Sequence, residues 1–167
     1  MNRQRYPPIS HPSIPLSNVP DPQKQVAEAK LEKAIGDSHD VLARATTVFP
    51  FNFFPDTLTI DRSKVTITHR GFLNSAEVIS FRIEDVLNVT ADVGPIFGTV
   101  KISSRFFEAN KPHSINYFWR ADALKIKRIL QGYLIARQQN IDCSVFSTQE
   151  LAKKLDELGK VAPEEKV

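Results

Sequence analysis

A run of short alternating segments, followed by one long amphipathic segment, most constrains the fold of this chain. From Thr57 to Trp119 apolar and polar residues alternate in short stretches, and an apolar band at helical spacing follows Arg120. Alternation with a period of two indicates half-buried strands, whereas spacings of three and four residues indicate a helix. Because the connections are short, the strands must pair antiparallel. The sequence therefore predicts an α+β domain in which a helix covers one face of a sheet.

The predicted sheet contains six strands separated by turn signals such as Asp61-Arg62-Ser63 and Gly71–Ser75. Alternating stretches bounded by such residues are typical of antiparallel hairpins. A sheet of this size curls to cover its apolar face, so we expect bent sheets or a partial barrel. In the last strand we expect Ile115, Tyr117 and Trp119 on one face. The predicted strands are 57–60, 64–70, 76–83, 86–93, 99–106 and 114–119.

Helices are predicted on both sides of the sheet. The covering helix spans 121–139, and a short C-terminal helix spans 147–159 and stops at Gly159. Its start is marked by Ser147 and Glu150, whose spacing is that of a capping box.

Residues 21–48 are predicted to form a helical arm. Gly36 is expected to end or bend its first helix, and a second short helix is expected through Val41, Leu42 and Ala45. The apolar stripe of the arm is narrow, so three alternatives stay open: it docks on the domain, pairs with another chain, or frays.

The two ends of the chain are predicted to be flexible. Residues 1–20 contain five prolines, which remove backbone donors and exclude a helix or a central strand. The alternative for this tail is a Pro-rich ligand for another domain. Residues 160–167 are polar and are expected to form a second flexible tail. The central domain is therefore predicted over residues 49–140.

The stretch VISFRIEDVLNVTADVGPIFGTVKISS resembles the core of bacterial pleckstrin-homology-like (PH-like) domains. In that family a strand with an I-x-x-I/V pattern leads to a glycine-bounded loop and then to a strand of the form G-x-V/L-x-I. The stretch FPFNFFPDTLTIDRSKVTITHR is similar to the first strands of such domains. The resemblance implies an antiparallel β-barrel or bent sheets capped by a C-terminal amphipathic helix. It also implies a seventh strand, contributed by Phe51–Phe54 or by division of a longer strand.

Catalytic, cofactor-binding and metal-binding motifs are not expected from the residue patterns. The four histidines (His11, His39, His69 and His113) do not have the spacing of metal ligands. The loop from Gly94 to Gly98 joins two strands, whereas a phosphate-binding loop opens a helix. We therefore predict a protein that is not an enzyme and has no cofactor. An arrangement that gathers His69 or His113 with carboxylates would favour an enzyme instead.

Four residues are the candidate interaction residues. Ile96 and Phe97 lie in a turn between strands, where apolar side chains either insert into a membrane or partner, or fold back over the barrel mouth. Lys125 and Arg128 share one face of the covering helix. Residues 120–139 carry five basic residues and one acid, whereas residues 50–119 carry seven of each. This stripe either meets acidic lipid or nucleic acid, or is simply a solvated face.

The segment from Phe49 to Phe54 is the most aromatic part of the chain. Burying one such side chain gains roughly 1.5–3 kcal/mol, so we expect the phenylalanines to wedge into the edge of the core. Exposure as a binding site for a partner is the alternative.

These patterns lead to one function class with one alternative. The first residues lack the apolar stretch of a signal peptide, and the single Cys143 excludes an intrachain disulfide. We therefore expect a cytoplasmic protein that is at most peripheral at the inner membrane face. Its expected function is a PH-like interaction module that binds a protein partner or the membrane surface. The alternative is nucleic-acid binding through the basic face of helix 121–139. The oligomeric state stays open.

Overall fold

A computed structural model of the chain describes residues 22–49, 53–107 and 111–160. These residues form seven strands and three α-helices. The strands are β1 (Val41–Thr46), β2 (Thr57–Asp61), β3 (Lys64–Arg70), β4 (Ala76–Arg82), β5 (Val86–Val93), β6 (Phe97–Ser104) and β7 (His113–Trp119). The helices are α1 (Pro22–His39), α2 (Arg120–Gln138) and α3 (Thr148–Gly159). The tail predicted over 1–20, and all but the first residue of the tail predicted over 160–167, lie outside the described residues.

The strands form two antiparallel sheets. One sheet has the order β1-β2-β3-β4 and the other has the order β5-β6-β7. The predicted α+β class and the antiparallel pairing are therefore confirmed. Over the described residues the two sheets do not join into a closed barrel, so the barrel implied by the resemblance is not observed.

The first strand corrects the prediction for the N-terminal arm. Val41–Thr46 is not a short helix but an edge strand that pairs with β2, with Ala43 opposite Ile60 and Ala45 opposite Leu58. Helix α1 continues through Gly36 to His39 instead of ending at the glycine. The seventh strand thus comes from residues assigned to the arm, and the four-stranded sheet begins before residue 49.

Helix α2 covers the apolar sides of both sheets, as the sequence predicts. It packs against β5 and β6 and against β1. Its residues Ile126, Ile129 and Leu130 are fully buried. They share one core with strand residues such as Leu58 and Ile102. The buried face of α2 is wider than its apolar residues indicate, because Lys127 is also buried, at 7% exposure.

A bulge in β7 overturns the expected alternation in that strand. Ile115 and Phe118 are buried, whereas Tyr117 and Trp119 are exposed. The pairing with β6 shifts between Gly98 and Val100, and Tyr117 has a φ of 65°. An extra residue at a bulge moves every following side chain to the other face of the strand. The bulge therefore turns the aromatic end of β7 outward.

Helix α3 begins and ends as predicted. The Ser147 side chain accepts a hydrogen bond from the Glu150 backbone amide, and the Glu150 carboxylate accepts one from the Ser147 amide. Gly159, the predicted end, is the last helical residue and is buried against α2. A Cβ atom at Gly159 would lie 2.0 Å from the Arg128 carbonyl oxygen. This glycine therefore permits close helix packing.

The helices of the described residues do not meet the requirements of a membrane span. Among the described residues, none of them is both long enough and apolar enough to cross a bilayer.

Candidate interaction surface

Two neighbouring loops carry an exposed apolar surface, which we call the tip surface. The β1–β2 loop and the β3–β4 loop leave the same end of the four-stranded sheet, because β1 to β4 pair in sequence order. Phe53 is 74% exposed, Phe72 is 71% exposed and Leu73 is 84% exposed. Phe54 bridges the two loops through an edge-to-face contact with Phe72 at 6.2 Å. The tip surface consists of Phe49, Phe53, Phe54, Phe72 and Leu73.

This exposure corrects the expectation that the phenylalanines wedge into the core. Phe49, Phe53 and Phe54 are all exposed, and the rings of Phe49 and Phe53 contact each other edge to face at 6.2 Å. Phe51 lies outside the described residues. Single exposed apolar side chains are common on soluble proteins, but a contiguous group of them marks an interaction site.

The turn that carries Phe72 and Leu73 is closed by its own hydrogen bonds. The Gly71 amide donates to the Ser75 carbonyl at 2.8 Å, and the Phe72 carbonyl accepts from both the Ser75 amide and the Ser75 hydroxyl. Leu73 has a φ of 55°, in the left-handed region. This conformation costs a leucine roughly 1–2 kcal/mol. The sequence indicates only a turn here, and the signal missed was an apolar pair inside it.

A chain of three polar side chains lies at the base of the two loops. His69 Nδ1 is 3.2 Å from an Asp56 carboxylate oxygen, and His69 Nε2 is 3.0 Å from His113 Nε2. A hydrogen bond between two ring nitrogens needs a proton on one of them only, so one Nε2 donates and the other accepts. Phe107 stacks on the His113 ring at 5.0 Å. The chain therefore ties the end of β3 to the start of β7 beneath the tip surface.

The charge state of His113 follows from these neighbours. Burial lowers the pKa of His113 and the proximity of His69 lowers it further, while Asp56 and Glu77 act in the opposite direction. The net effect favours the neutral ring. A cavity of about 310 Å³ lies beside this chain and is lined by His69, Arg70, Gly71, Ser75, Ala76 and Glu77.

This arrangement gathers His69 and His113 with a carboxylate, which is the condition under which the sequence would favour an enzyme. Both nitrogens of the His69 ring, however, contact protein groups: Asp56 at one and His113 at the other. A general base needs a nitrogen within hydrogen-bond reach of its substrate. In this geometry both nitrogens of His69 take part in contacts that hold the end of β3 to the start of β7.

The candidates Ile96 and Phe97 lie beside another exposed aromatic residue. Ile96 is 57% exposed, whereas Phe97 is partly buried and its ring lies 5.5 Å from that of Trp119. The Arg120 amide donates to the Ile96 carbonyl, which fixes the turn to the start of α2. Tyr117, two residues before Trp119, accepts a hydrogen bond at its carbonyl from the Val48 amide. The bulged end of β7 thus lies between these candidates and the β1–β2 loop.

The candidates Lys125 and Arg128 are not brought together as a free basic stripe. Lys125 is exposed, but the Arg128 guanidinium donates to an Asp156 carboxylate oxygen at 2.8 Å. Both side chains of that pair are mostly buried where α3 crosses α2. Burial acts to raise the pKa of Asp156, but hydrogen bonds from Lys160 and Arg128 outweigh it and hold the pKa below its ordinary value. Arg128 therefore joins two helices.

A cavity of about 250 Å³ lies between α2 and the segment that precedes α3. Its polar wall is already used by the fold, because Arg62 donates to the Cys143 and Phe146 carbonyls. Burial, followed by the nearby Asp142, raises the pKa of the Cys143 thiol. This thiol is therefore protonated at neutral pH, and the cavity offers little to a reactive ligand. It is lined by Arg62, Tyr133, Arg137, Ile141, Asp142, Cys143, Ser144 and Leu151.

Comparison with known proteins adds no relative to this picture. No protein-family model, no curated protein and no solved structure matches the chain.

Proposed function

We propose that this chain is a PH-like interaction module, without enzymatic activity, that docks through the tip surface. Its partner is a protein or the cytoplasmic surface of a membrane. The single observation that carries the proposal is the group of exposed apolar side chains at one end of the sheet, led by Phe72 and Leu73. Soluble proteins rarely keep such a contiguous group in water unless it binds something.

The architecture supports the PH-like part of the proposal. Seven antiparallel strands in sheets of four and three precede a single covering helix, which is the order that the resemblance implies. The loops at one end carry the interaction residues, while the helix at the other side completes the core. Binding residues are often placed in this way, on loops held by a rigid scaffold.

Photo-crosslinking in a cell extract that contains membranes tests this function. A photoreactive amino acid replaces Phe72 in one full-length protein and Leu87 in another. Leu87 is a matched control because it is an exposed leucine on β5, in the other sheet. We expect adducts at position 72 that are at least about fivefold more abundant than at position 87. Equal yields at the two positions would refute docking through the tip surface.

The chemical nature of the adduct separates the candidate partners. A lipid adduct identifies a membrane, and a protein adduct identifies a protein partner, including a second copy of this chain. A third protein with the photoreactive amino acid at Lys125 tests the alternative function: nucleic-acid adducts at position 125, without adducts at position 72, would favour binding through the basic face of α2. The ion pair between Arg128 and Asp156 weakens that alternative, because a phosphate would have to compete with it.

A further inference from the structure

We infer that the tip surface inserts Phe53, Phe72 and Leu73 into the interfacial region of a lipid bilayer. The inference rests on the proposed function and names the partner of the same surface. The distribution of charge in the two loops, the hydrogen bonds that close them and the strained backbone at Leu73 support insertion.

Charge is absent from the loop tips and concentrated at their bases. Residues 48–55 and 71–76 contain no Lys, Arg, Asp or Glu, in a chain in which a quarter of the residues are charged. Asp56, Arg70 and Glu77 directly flank these segments. Water-exposed loops normally carry charged side chains, whereas a loop that enters a membrane interface must keep its charges at the level of the headgroups. The charge boundary therefore fits a loop whose tip leaves water.

Hydrogen bonds close the β1–β2 loop at its base and the β3–β4 turn between Gly71 and Ser75. At the base of the β1–β2 loop, the Thr47 amide donates to the Asp56 carbonyl at 2.9 Å, and the Asp56 amide donates to the Thr47 hydroxyl at 2.8 Å. In the other loop, Gly71 and Ser75 close the turn in the same way. Each unpaired backbone group costs several kcal/mol in lipid, so such closure lowers the cost of insertion.

The backbone at Leu73 indicates that the exposed leucine has a role outside the fold. A left-handed residue is usually Gly or Asn, because a branched side chain is strained there. Leu73 adopts this conformation and still leaves its side chain 84% exposed. The folded chain thus carries the cost of a leucine without burying it. Strain of this kind persists where binding, not folding, uses the residue.

The side-chain chemistry favours lipid over a protein partner. The four aromatic residues of the tip surface are all Phe, which has no hydrogen-bonding group. Such side chains need no hydrogen-bonding partner in the medium that receives them. Protruding apolar side chains need no complementary pocket when the partner is a fluid interface. At the loop bases Arg70 is accompanied by Asp56 and Glu77, so the apolar side chains, and not a net positive charge, provide the attraction to the bilayer.

Vesicle partitioning of the full-length protein tests the inference. The probes are sucrose-loaded vesicles of phosphatidylcholine alone and of phosphatidylcholine with about one fifth phosphatidylserine. We expect the wild-type chain to bind both to a similar extent, because apolar insertion and not charge attraction provides the binding. The double variant Phe72→Ser and Leu73→Ser should lower the partition coefficient at least about tenfold on both, because each inserted side chain contributes appreciably to transfer. The control Leu87→Ser should leave it unchanged.

A fluorescence arm reports insertion directly. Trp119 is the single tryptophan, so the variant Trp119→Phe with Phe53→Trp carries one reporter at the tip. Its emission should shift to the blue on vesicles and be quenched by lipids brominated on their acyl chains. Wild-type protein that stays in the supernatant with both vesicle types overturns the inference, as does a double variant that binds like wild type. If position 72 still crosslinks to a protein in extract, the proposed function survives and only the lipid partner is wrong.

Discussion

At the scale of single residues, Arg62 stabilises the fold more than its position in a turn suggests. Its guanidinium donates to the Asp40 carboxylate at 2.7 Å, to the Cys143 and Phe146 carbonyls, and to the Thr148 hydroxyl. Its side chain is only 12% exposed. A planar fork of five donors can serve these acceptors together, whereas an ammonium group cannot. Arg62 therefore connects the β2–β3 turn to the segment between α2 and α3.

Replacing Arg62 should destabilise the protein even where the positive charge is kept. We expect Arg62→Lys to lower the free energy of unfolding by about 1 kcal/mol and Arg62→Ala by about 2 kcal/mol, since partly buried acceptors lose their donors. Urea denaturation measures both. Lys125→Ala is the control and should change stability by less than about 0.5 kcal/mol, because Lys125 is exposed. An Arg62→Lys variant as stable as wild type would contradict the requirement for a forked donor.

Also at the residue scale, His113 should make stability depend on pH. Its pKa in the folded chain lies below the ordinary value of 6.5, so the unfolded chain binds more protons in the window between the two values. The stability contributed by the neutral ring is therefore present above pH 6.5 and is lost as the pH falls through the lowered pKa. The nearby His69 also disfavours the charged form of His113 electrostatically.

The measurement is the free energy of unfolding between about pH 5 and pH 8, for wild type and for His113→Gln. Wild type should lose stability towards acid pH, and the variant should lose less over the same range. Identical slopes would show that the contact between His69 and His113 does not contribute to the pH dependence.

At the scale of elements, the contact between α2 and α3 depends on two glycines. A Cβ atom at Gly132 would lie 2.1 Å from the Leu155 carbonyl oxygen, and one at Gly159 would lie 2.0 Å from that of Arg128. In both cases the neighbour is backbone, which cannot rotate away as a side chain can. The glycines set the distance between the helix axes, and the Arg128–Asp156 pair then spans them.

Alanine at either glycine should separate the two helices. We expect Gly132→Ala or Gly159→Ala to lower the free energy of unfolding by about 3 kcal/mol, since overpacking forces a backbone shift. Gly36→Ala is the matched control: it lies within α1 with open space around it, so it should be neutral or stabilise by up to about 1 kcal/mol. Chemical denaturation and limited proteolysis near α3 measure the effect. Unchanged stability at Gly159→Ala would exclude the close contact.

At the scale of the whole molecule, the tip surface should trade stability for binding. Leu73→Asn places a residue that tolerates the left-handed region where the strained leucine now lies. Because the leucine is 84% exposed, its removal forfeits little burial. We expect the variant to be more stable by about 0.5–1 kcal/mol and to bind vesicles severalfold more weakly. Thermal unfolding and vesicle sedimentation check the two halves, and a variant that loses stability and keeps binding would contradict the trade.

Many of the element boundaries of the fold could be predicted from the sequence. The bounds of β2, β3, β5 and α2 agree with the predictions to within two residues, because hydrophobic period and turn chemistry are local properties of the chain. The capping box at Ser147 is equally local and is confirmed. The prediction of a short helix through Val41, Leu42 and Ala45 was wrong because these apolar residues suit either a helix or a strand. Only pairing with β2 and burial in the core decide between the two.

The candidate site divides in the same way. The sequence by itself determined where the apolar and charged residues lie, including the aromatic run at Phe49 and the basic excess of α2. The hydrophobicity of a side chain gives the free-energy cost of exposing it to water, but it does not predict which side chains stay exposed in the fold. Only the tertiary structure decided that Phe72 and Leu73 lie beside this aromatic run at one end of the sheet. It also decided that Arg128 forms an ion pair with Asp156. Both outcomes depend on contacts between residues distant in sequence, which no local pattern encodes.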